Sequence, residues 1–346
     1  MYGYKLKRPN AEIVKEHIEL QRELKSDQYI DAENVCIEQV PHAIDEKEPI
    51  RHYNGKDVNE TFEFSRSAFG QLVNRVKVPL QFYDRCPKHL QVAIFDHFVT
   101  GKKDTQFLLR NIDVGNEDRT NVRAVLSDKY GIIDDHQVFP VVLEALADDV
   151  ETEIVHFVYD DKVSQLLIHF TDTDTHYQGT DMVAGLLVSN SETGHGAVWL
   201  EPVVTIPTCS FVNRRALRAQ KVDMRIVHKG DVDPQRIKDM ARQAKEIAQV
   251  GIVQVAEAWE AKVKVAHALS YAKGIDGLPK RLYDILEEEW SKEEELIKAE
   301  VARRIMLMAK ELPLFKSIPV QQSAGQFLGL YNTYKSRIGQ IMEEME

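Results

Sequence analysis

The middle of the chain constrains the fold most, because strand-like segments follow one another from residue 105 to residue 213. Within each segment, β-branched and aromatic residues alternate with polar ones or run continuously, as is typical of strands. The segments are QFLLRNID, TNVRAVLS, EIVHFVYD, VSQLLIHFT, DMVAGLLVSNS, GAVWLEPVVTIP and CSFVN. Only DHQVFPVVLEALADD has helical periodicity, and its Pro140 fits the first turn of a helix. We therefore expect one central, mostly antiparallel sheet over about residues 105–230, in an α+β fold.

Helical patterns lie on both sides of this region. Asn10 is a candidate N-cap for a helix within residues 10–27, and residues 28–60 predict an irregular connection with a short strand near VCIEQV. Ser65, Pro79 and Pro87 are placed to start three short helices over residues 65–99. After Asp233-Pro234 the pattern is helical to the end. The predicted organisation is an N-terminal arm and irregular connection (1–60), an α+β core domain (61–232) and a helical region (233–346).

Several classes of protein are excluded by what the 346 residues lack. No apolar run reaches roughly 18 residues, so no membrane-spanning helix is expected. The opening MYGYKLKRPNAEIVKEH has no apolar core of a signal peptide. Cys36, Cys86 and Cys209 are odd in number and far apart, which indicates a reducing compartment. We expect a cytoplasmic protein.

Motifs for common enzyme chemistry are incomplete. The pairs Gly55-Lys56 and Gly101-Lys102 lack the other residues of a phosphate-binding loop, and Gly194-His195-Gly196 fits a hairpin turn better than a dinucleotide site. The stretch from Asp172 to His176 begins like a calcium loop, but Tyr177 stands where that loop needs Gly. We predict no enzyme, no catalytic residue, no metal and no cofactor. A hydrolase or nuclease that uses Asp172, Asp174 and Asp181 around a hard cation stays open as a lesser alternative.

A basic segment at residues 213–230, NRRALRAQKVDMRIVHKG, reverses the charge of an otherwise acidic chain. It contains six Lys and Arg residues and a single acidic residue, Asp223, whereas the whole chain has a formal net charge of −11. Lys and Arg at this density suit the closely spaced phosphates of a nucleic-acid strand. The predicted DNA-binding residues here are Arg214, Arg215, Arg218, Lys221, Arg225 and Lys229. The alternative is a solvated face that pairs with the acidic helices.

A second, thinner basic group spans two predicted strands and the hairpin between them. It consists of Lys102, Lys103, Arg110, Arg119, Arg123, Lys129 and Tyr130. Because side chains alternate along a strand, Arg123 is expected on one face of the sheet and Val122 on the other. Arg110, Arg123, Lys129 and Tyr130 are therefore predicted to support DNA binding from a sheet-borne groove. Ordinary outward-facing strand residues are an equally good interpretation for each.

An acidic stretch in the helical region supports a hypothesis of another class. Glutamates occupy positions 287–289 and 293–295, which is typical of a solvated helix face with i,i+4 ion pairs. The same face could bind a partner. The competing hypothesis is therefore a non-catalytic interaction or adaptor protein that acts through its acidic helices.

Three parts of the sequence together resemble a family of phage- and plasmid-encoded proteins of unknown function. They are SAFGQLVNRVKVPLQFYDRCP at 67–87, VRAVLSDKYGIIDDHQVF at 122–139, and the ordered set NSETG at 190–194, CSFVNR at 209–214 and HKG at 228–230. The family pattern looks like Cys-x-Asn-Gly after the long strand, from which CSFVNR departs. The resemblance covers about residues 65–232.

The resemblance implies a protein of phages or other mobile elements, located in the cytoplasm of a bacterial host cell and remotely related to single-strand annealing proteins. In the competing adaptor hypothesis, it implies a phage interaction protein. Such proteins hold single strands without hydrolysing a nucleotide, in homo-oligomeric rings or filaments. We therefore predict a nucleotide-independent protein that binds and anneals single-stranded DNA in recombination or replication. The candidate contacts between subunits are Leu296, Ile305, Leu307, Met308, Phe327, Leu330, Tyr331 and Ile338. The alternative for these residues is an intramolecular helical cap on the sheet.

Overall fold

A computed structural model describes most of the chain. The described residues are 4–32, 35–37, 49–54, 57–100, 105–113, 115, 120–147, 151–160, 162–177, 180–206, 209–212, 224–259 and 261–328. The strands are β1 (Tyr4–Lys7), β2 (Lys25–Asp31), β3 (Val35–Ile37), β4 (Pro49–Asn54), β5 (Asp57–Phe64), β6 (Gln106–Ile112), β7 (Thr120–Ser127), β8 (Thr152–Tyr159), β9 (Ser164–Phe170), β10 (Thr175–Tyr177), β11 (Thr180–Asn190), β12 (Val198–Ile206), β13 (Cys209–Val212), β14 (Arg225–Ile226), β15 (Lys262–Lys264) and β16 (Glu295–Ile297). The helices are α1 (Ala11–Glu23), α2 (Arg66–Arg75), α3 (Leu80–Arg85), α4 (Lys88–Thr100), α5 (Asp135–Ala147), α6 (Pro234–Trp259), α7 (Val265–Lys273), α8 (Lys280–Trp290), α9 (Lys298–Ala309) and α10 (Leu314–Phe327).

The larger sheet is antiparallel throughout its described pairs. Its strand order is β1-β8-β9-β11-β12-β13, with β10 beside β11 and β14 beside β12. β11 and β12 form a long hairpin around residues 191–197, in which Gly194 has a φ of +78°. The apolar side chains on one face of β12, such as Val198, Leu200 and Val204, pack with those of α5 and α6. They belong to the largest hydrophobic cluster of the described residues, which we call the main core. The prediction of a mixed fold with a large antiparallel sheet is confirmed.

A second sheet corrects the prediction that all strands belong to one. Its order is β2-β6-β7-β5-β4-β3, and it contains the predicted strands QFLLRNI and TNVRAVLS as β6 and β7. Its pairs are antiparallel except β5 with β7. α2 and α3 pack on it in a separate core that includes Phe62, Phe69 and Leu72. A strand pattern indicates that a segment can pair with another strand, but it does not indicate which strand. The sequence therefore did not show which strands share a sheet.

The N-terminal residues belong to both sheets instead of forming an arm. β1 pairs with β8, and β2 pairs with β6 over its whole length. The predicted helix at 10–27 ends at Glu23, because the strand β2 begins at Lys25. Asn10 caps α1 by accepting a hydrogen bond from Ile13 N at 2.8 Å, and Ser65 caps α2 in the same way from Ala68 N at 3.1 Å.

The C-terminal helices contribute to the main core. Ile305, Met308 and Phe327 are at most 2% exposed there, beside Trp290 and Tyr271. Their burial corrects the prediction that they contact a neighbouring subunit, because these side chains are covered by their own chain. Leu296 is half-buried against the same core, whereas Leu330, Tyr331 and Ile338 lie outside the described residues. Within the described part of the chain, no helix combines the length and apolar composition that a bilayer crossing needs.

Candidate nucleic-acid interface

The predicted DNA-binding residues fall into three groups. Arg214, Arg215, Arg218 and Lys221 lie outside the described residues, as do Lys102, Lys103 and Arg119. Lys129, Arg225 and Lys229 are exposed, and Tyr130 is half-buried. Arg110 and Arg123 are buried, at 0% and 6% exposure.

The exposed lysines are on two loops that touch each other through their backbones. Gly131 N donates a hydrogen bond to His228 O at 3.1 Å, and the Tyr130 and His228 rings stack with centroids 4.9 Å apart. A Cβ atom on Gly131 would lie 2.6 Å from backbone atoms of Gly230, so only glycine permits this approach. The structure therefore brings Lys129 and Lys229, which are 100 positions apart in the sequence, to neighbouring loops.

Both ends of the basic segment are held at the same strand. β13, which precedes the segment, pairs with β12 from Val203 to Ile206, and β14 pairs with β12 at Val198 and Trp199. The Arg225 guanidinium lies over the Trp199 ring, 5.3 Å from its centroid, and the Arg225 carbonyl accepts a hydrogen bond from Arg236 at 3.1 Å. These contacts hold Arg225 at an edge of the larger sheet next to the two lysine loops.

Arg110 is an ion-pairing residue inside the protein. Its Nη2 donates to both carboxylate oxygens of Asp134, at 2.6 and 2.8 Å, and its Nε lies 2.6 Å from Asp27 Oδ1. Its Nη1 donates to the Glu192 carbonyl at 3.3 Å. Because this guanidinium is buried and forms ion pairs with two carboxylates, Arg110 does not line an exposed groove, which corrects the prediction.

Arg123 is buried by the same arrangement. Its Nη1 lies 2.7 Å from Glu192 Oε2, and Lys25 Nζ contacts the same carboxylate at 2.7 Å. Glu192 Oε1 also accepts a hydrogen bond from the backbone N–H of Asp135, at the N-terminal end of α5. These cations lower the pKa of Glu192 despite its burial. Arg123 therefore holds the two sheets together and does not support a DNA groove.

A second buried carboxylate, Asp135, completes this cluster. Ser164 Oγ donates to it at 2.6 Å and Asn190 Nδ2 at 2.8 Å. Burial, followed by the nearby charge of Glu192, raises the pKa of Asp135 to about 7. We call the set Lys25, Asp27, Arg110, Arg123, Asp134, Asp135 and Glu192 the buried ionic joint.

The segments that carry the family resemblance meet at this joint. Gln71, from residues 67–87, donates to Thr193 O at 2.7 Å and accepts from Val125 N at 2.9 Å. Tyr130 OH donates to Ser191 O at 3.1 Å. These contacts, with the Arg123–Glu192 pair, connect the segments at 67–87, 122–139 and 190–194, and the Gly131–His228 contact adds HKG. These segments thus build the connection between the two large sheets.

Sequence reasoning missed Lys25, Asp27, Asp134, Asp135 and Glu192. The available signal was the position of Glu192 at the end of a strongly apolar strand, together with two arginines within predicted strands. A charged residue at such a place is buried only when it is paired. Pairing between distant positions is not visible in one sequence.

Two of the three acids of the alternative metal-dependent hydrolase, Asp172 and Asp181, form ion pairs with other side chains. Asp172 forms an ion pair with Lys245, and Asp181 Oδ1 lies 2.8 Å from His176 Nδ1. Among the residues that the structure describes, no group of three or more His, Cys, Asp or Glu side chains is arranged to hold a metal ion.

Comparisons with known proteins return no relative: no family model, no curated protein and no solved structure matches this chain.

Proposed function

We propose that this protein binds single-stranded DNA and promotes its annealing without using a nucleotide. The observation that carries the proposal is the meeting of Lys129, Lys229 and Arg225 at one edge of the larger sheet, where the basic segment begins and ends. An acidic chain that gathers exposed cations in one place has a surface suited to a phosphate backbone.

The interface would act by position and charge. Lys129 and Lys229 would contact phosphates, and binding would gain entropy as counterions leave the strand. Arg225, supported by Trp199, would present a planar cation on which a base can stack. Contacts limited to the backbone and to one base face would leave the pairing edges free for a complementary strand. Arg214, Arg215, Arg218 and Lys221 would add four cations to the same interface.

Fluorescence anisotropy with a labelled single-stranded oligonucleotide tests the binding. Affinity should fall steeply with salt, and Lys129→Ala combined with Lys229→Ala should reduce the slope of log K against log salt by roughly 1 to 2. Lys280→Ala with Arg281→Ala, on exposed α8, is the matched control and should leave the slope unchanged. A flat salt response of the wild-type protein would contradict the proposal.

Annealing is tested separately, with complementary strands that carry a fluorophore and a quencher. The wild-type protein should accelerate pairing without ATP, and replacing Arg214, Arg215 and Arg218 by Ala should remove the acceleration. A homo-oligomeric ring or filament is part of the proposal, because an annealing strand must cross several subunits. Electron microscopy with and without the oligonucleotide would show these assemblies.

The adaptor hypothesis has support of its own in the acidic helical region. Glu288, Glu293 and Glu294 are exposed, whereas Glu289 pairs with Arg304 and Glu295 with Lys262. The exposed glutamates could bind a basic partner surface. If Glu288→Gln, Glu293→Gln and Glu294→Gln together abolish biological activity while the arginine variants keep it, the adaptor hypothesis replaces DNA annealing.

A further inference from the structure

The first strand places two lysines side by side on the outer edge of the larger sheet. Along β1, Tyr4 and Leu6 pack against the main core, whereas Lys5 and Lys7 are exposed. Because side chains alternate along a strand, both lysines project from the face opposite the core. Residues two apart on one face of a strand are roughly 6.6 Å apart.

The neighbouring strand adds a histidine to this face. In the antiparallel pair, Leu6 lies opposite Phe157, which is buried in the main core, and Lys7 lies opposite His156. His156 therefore shares the face of the lysines, and it is half-buried. The Cβ atoms of directly opposed residues are about 4.5–5.5 Å apart, so Lys7 and His156 are close neighbours.

The electrostatic surroundings of this face are positive. Burial and the charges of Lys7 and Lys310 lower the pKa of Lys5. Burial, followed by the charges of Lys5, His169 and Lys310, lowers the pKa of His156 to about 4. Among the described residues, the charged groups that act most strongly on Lys5 and His156 are thus all basic.

Carboxylates near this face are directed to other partners. Glu153, on the same strand as His156, lies 3.4 Å from Arg8 Nε and, with Asp174, acts on His169. Like charges placed opposite each other destabilise a sheet. Because Lys5, Lys7 and His156 lie side by side on this face, a bound anion would reduce the repulsion between their positive charges.

We propose that Lys5, Lys7 and His156, the β1 edge patch, form a binding site for a phosphate group. Lysine binds phosphate as a point charge, and a protonated histidine adds two N–H donors. The patch lies at the opposite end of the strand order from β12, β13 and β14, so it is separate from the proposed DNA interface. The proposal does not depend on DNA annealing. The phosphate could belong to a free anion, a nucleotide or a nucleic-acid strand.

Calorimetric titration at low ionic strength tests the patch with three probes: inorganic phosphate, a mononucleotide and a single-stranded oligonucleotide. At least one probe should bind saturably, and Lys5→Ala with Lys7→Ala should weaken that binding at least tenfold. The exposed pair Lys280→Ala with Arg281→Ala is the control and should bind as the wild type does.

A pH series adds a signature that nonspecific charge does not give. A bound phosphate favours the protonated form of His156, so the ratio of wild-type affinity to that of His156→Gln should increase as the pH falls from 7 to 5. The ratio is the measure because the phosphate group of the probe takes up a proton in the same range, equally for both proteins. The groups that face His156 are Lys5 and Lys7 from β1, His169 from β9, and Lys310 after α9. Thermal unfolding of each variant would show that the fold is kept.

The outcomes separate the sources of phosphate and the two proposals. Loss of inorganic phosphate or mononucleotide binding in the Lys5/Lys7 variant supports a site for small anions, and loss of oligonucleotide binding alone supports a strand site. Equal affinities of the Lys5/Lys7 variant and the control, or no saturable binding of any probe, would overturn the patch. If the oligonucleotide is the only probe that binds, and its binding depends on Lys129 and Lys229 but not on Lys5 and Lys7, the patch is overturned and the proposed function stays intact.

Discussion

The buried ionic joint and the exposed lysine loops use the same residue types in opposite ways. Arg123 is buried and forms an ion pair with Glu192 between the two large sheets, whereas Lys129 and Lys229 are exposed on adjoining loops. A buried charge that loses its partner strongly destabilises a protein, while an exposed charge contributes little to stability and is available to a ligand. Surroundings, and not residue type, therefore decide which cations serve the fold and which serve binding.

The largest expected effect comes from removing the central carboxylate of the joint. Glu192→Gln leaves Lys25 and Arg123 buried without their counterion, and should lower the free energy of unfolding by about 3–5 kcal/mol. Urea denaturation followed by circular dichroism measures this change. Glu289→Gln breaks an exposed pair with Arg304 and should cost less than about 1 kcal/mol. Similar losses in both variants would show that burial does not set the cost of losing a carboxylate charge.

The dependence of the free energy of unfolding on pH tests the role of Asp135 in the buried ionic joint. Folding raises its pKa to about 7, so the folded state keeps a proton that the unfolded chain releases near pH 4. The free energy of unfolding should therefore decrease as the pH rises between these values, by up to about 1.4 kcal/mol per pH unit. Urea denaturation at pH 5, 6 and 7 should show this contribution in the wild type and not in Asp135→Asn.

The test compares the free energy of unfolding of the wild type with that of Asp135→Asn at each pH, because other groups titrate in the same range. Asp27, whose pKa burial raises, acts in the same direction as Asp135. His156 and His228, whose pKa values burial lowers to about 4, act in the opposite direction. The pKa of Glu192 is lowered, so its contribution to the free energy of unfolding is lost only as the pH falls below the ordinary pKa of a glutamate. This contribution therefore does not change between pH 5 and 7. Identical pH profiles would exclude a titrating Asp135.

A smaller effect is expected where the lysine loops meet. Gly131→Ala places a methyl group 2.6 Å from the Gly230 backbone and should cost about 1–3 kcal/mol as the loops move apart. Gly196→Ala is a matched control, since its Cβ would meet only Ser191 Cβ at 3.8 Å. If the loops form one interface, Gly131→Ala should also weaken oligonucleotide binding, measured by anisotropy. Unchanged binding would separate Lys129 from Lys229 in function.

The smallest effect is expected from a substitution that keeps the charge. Arg225→Lys retains a cation but loses the planar group over Trp199, and should reduce oligonucleotide affinity by about 0.5–1 kcal/mol. The salt dependence should be unchanged, because the number of charges is unchanged. An unchanged affinity would indicate that Arg225 acts only as a phosphate contact, which lysine can replace.

Local structure was well predicted wherever a short segment contains its own signal. The Ser65 cap, the helix around Pro140 and the hairpin at Gly194 appear as expected, although Pro140 lies inside α5 and not in its first turn. The region 25–64 was predicted poorly. Lys25–Asp31 is largely polar and resembles a helix end, yet it forms a strand because β6 offers its whole edge as a partner.

By itself, the sequence determined the mixed α and β composition, most strand and helix positions of the middle region, and the local excess of positive charge at residues 213–230. The tertiary structure alone decided that the strands of the middle region divide between two large sheets, that Arg110 and Arg123 are buried, and that the loops of Lys129 and Lys229 adjoin. The physical reason is the separation in sequence between the residues that interact. Helix caps, turns and side-chain alternation depend on residues a few positions apart, whereas strand partners and ion pairs join positions such as 25 and 192 that only the folded chain brings together.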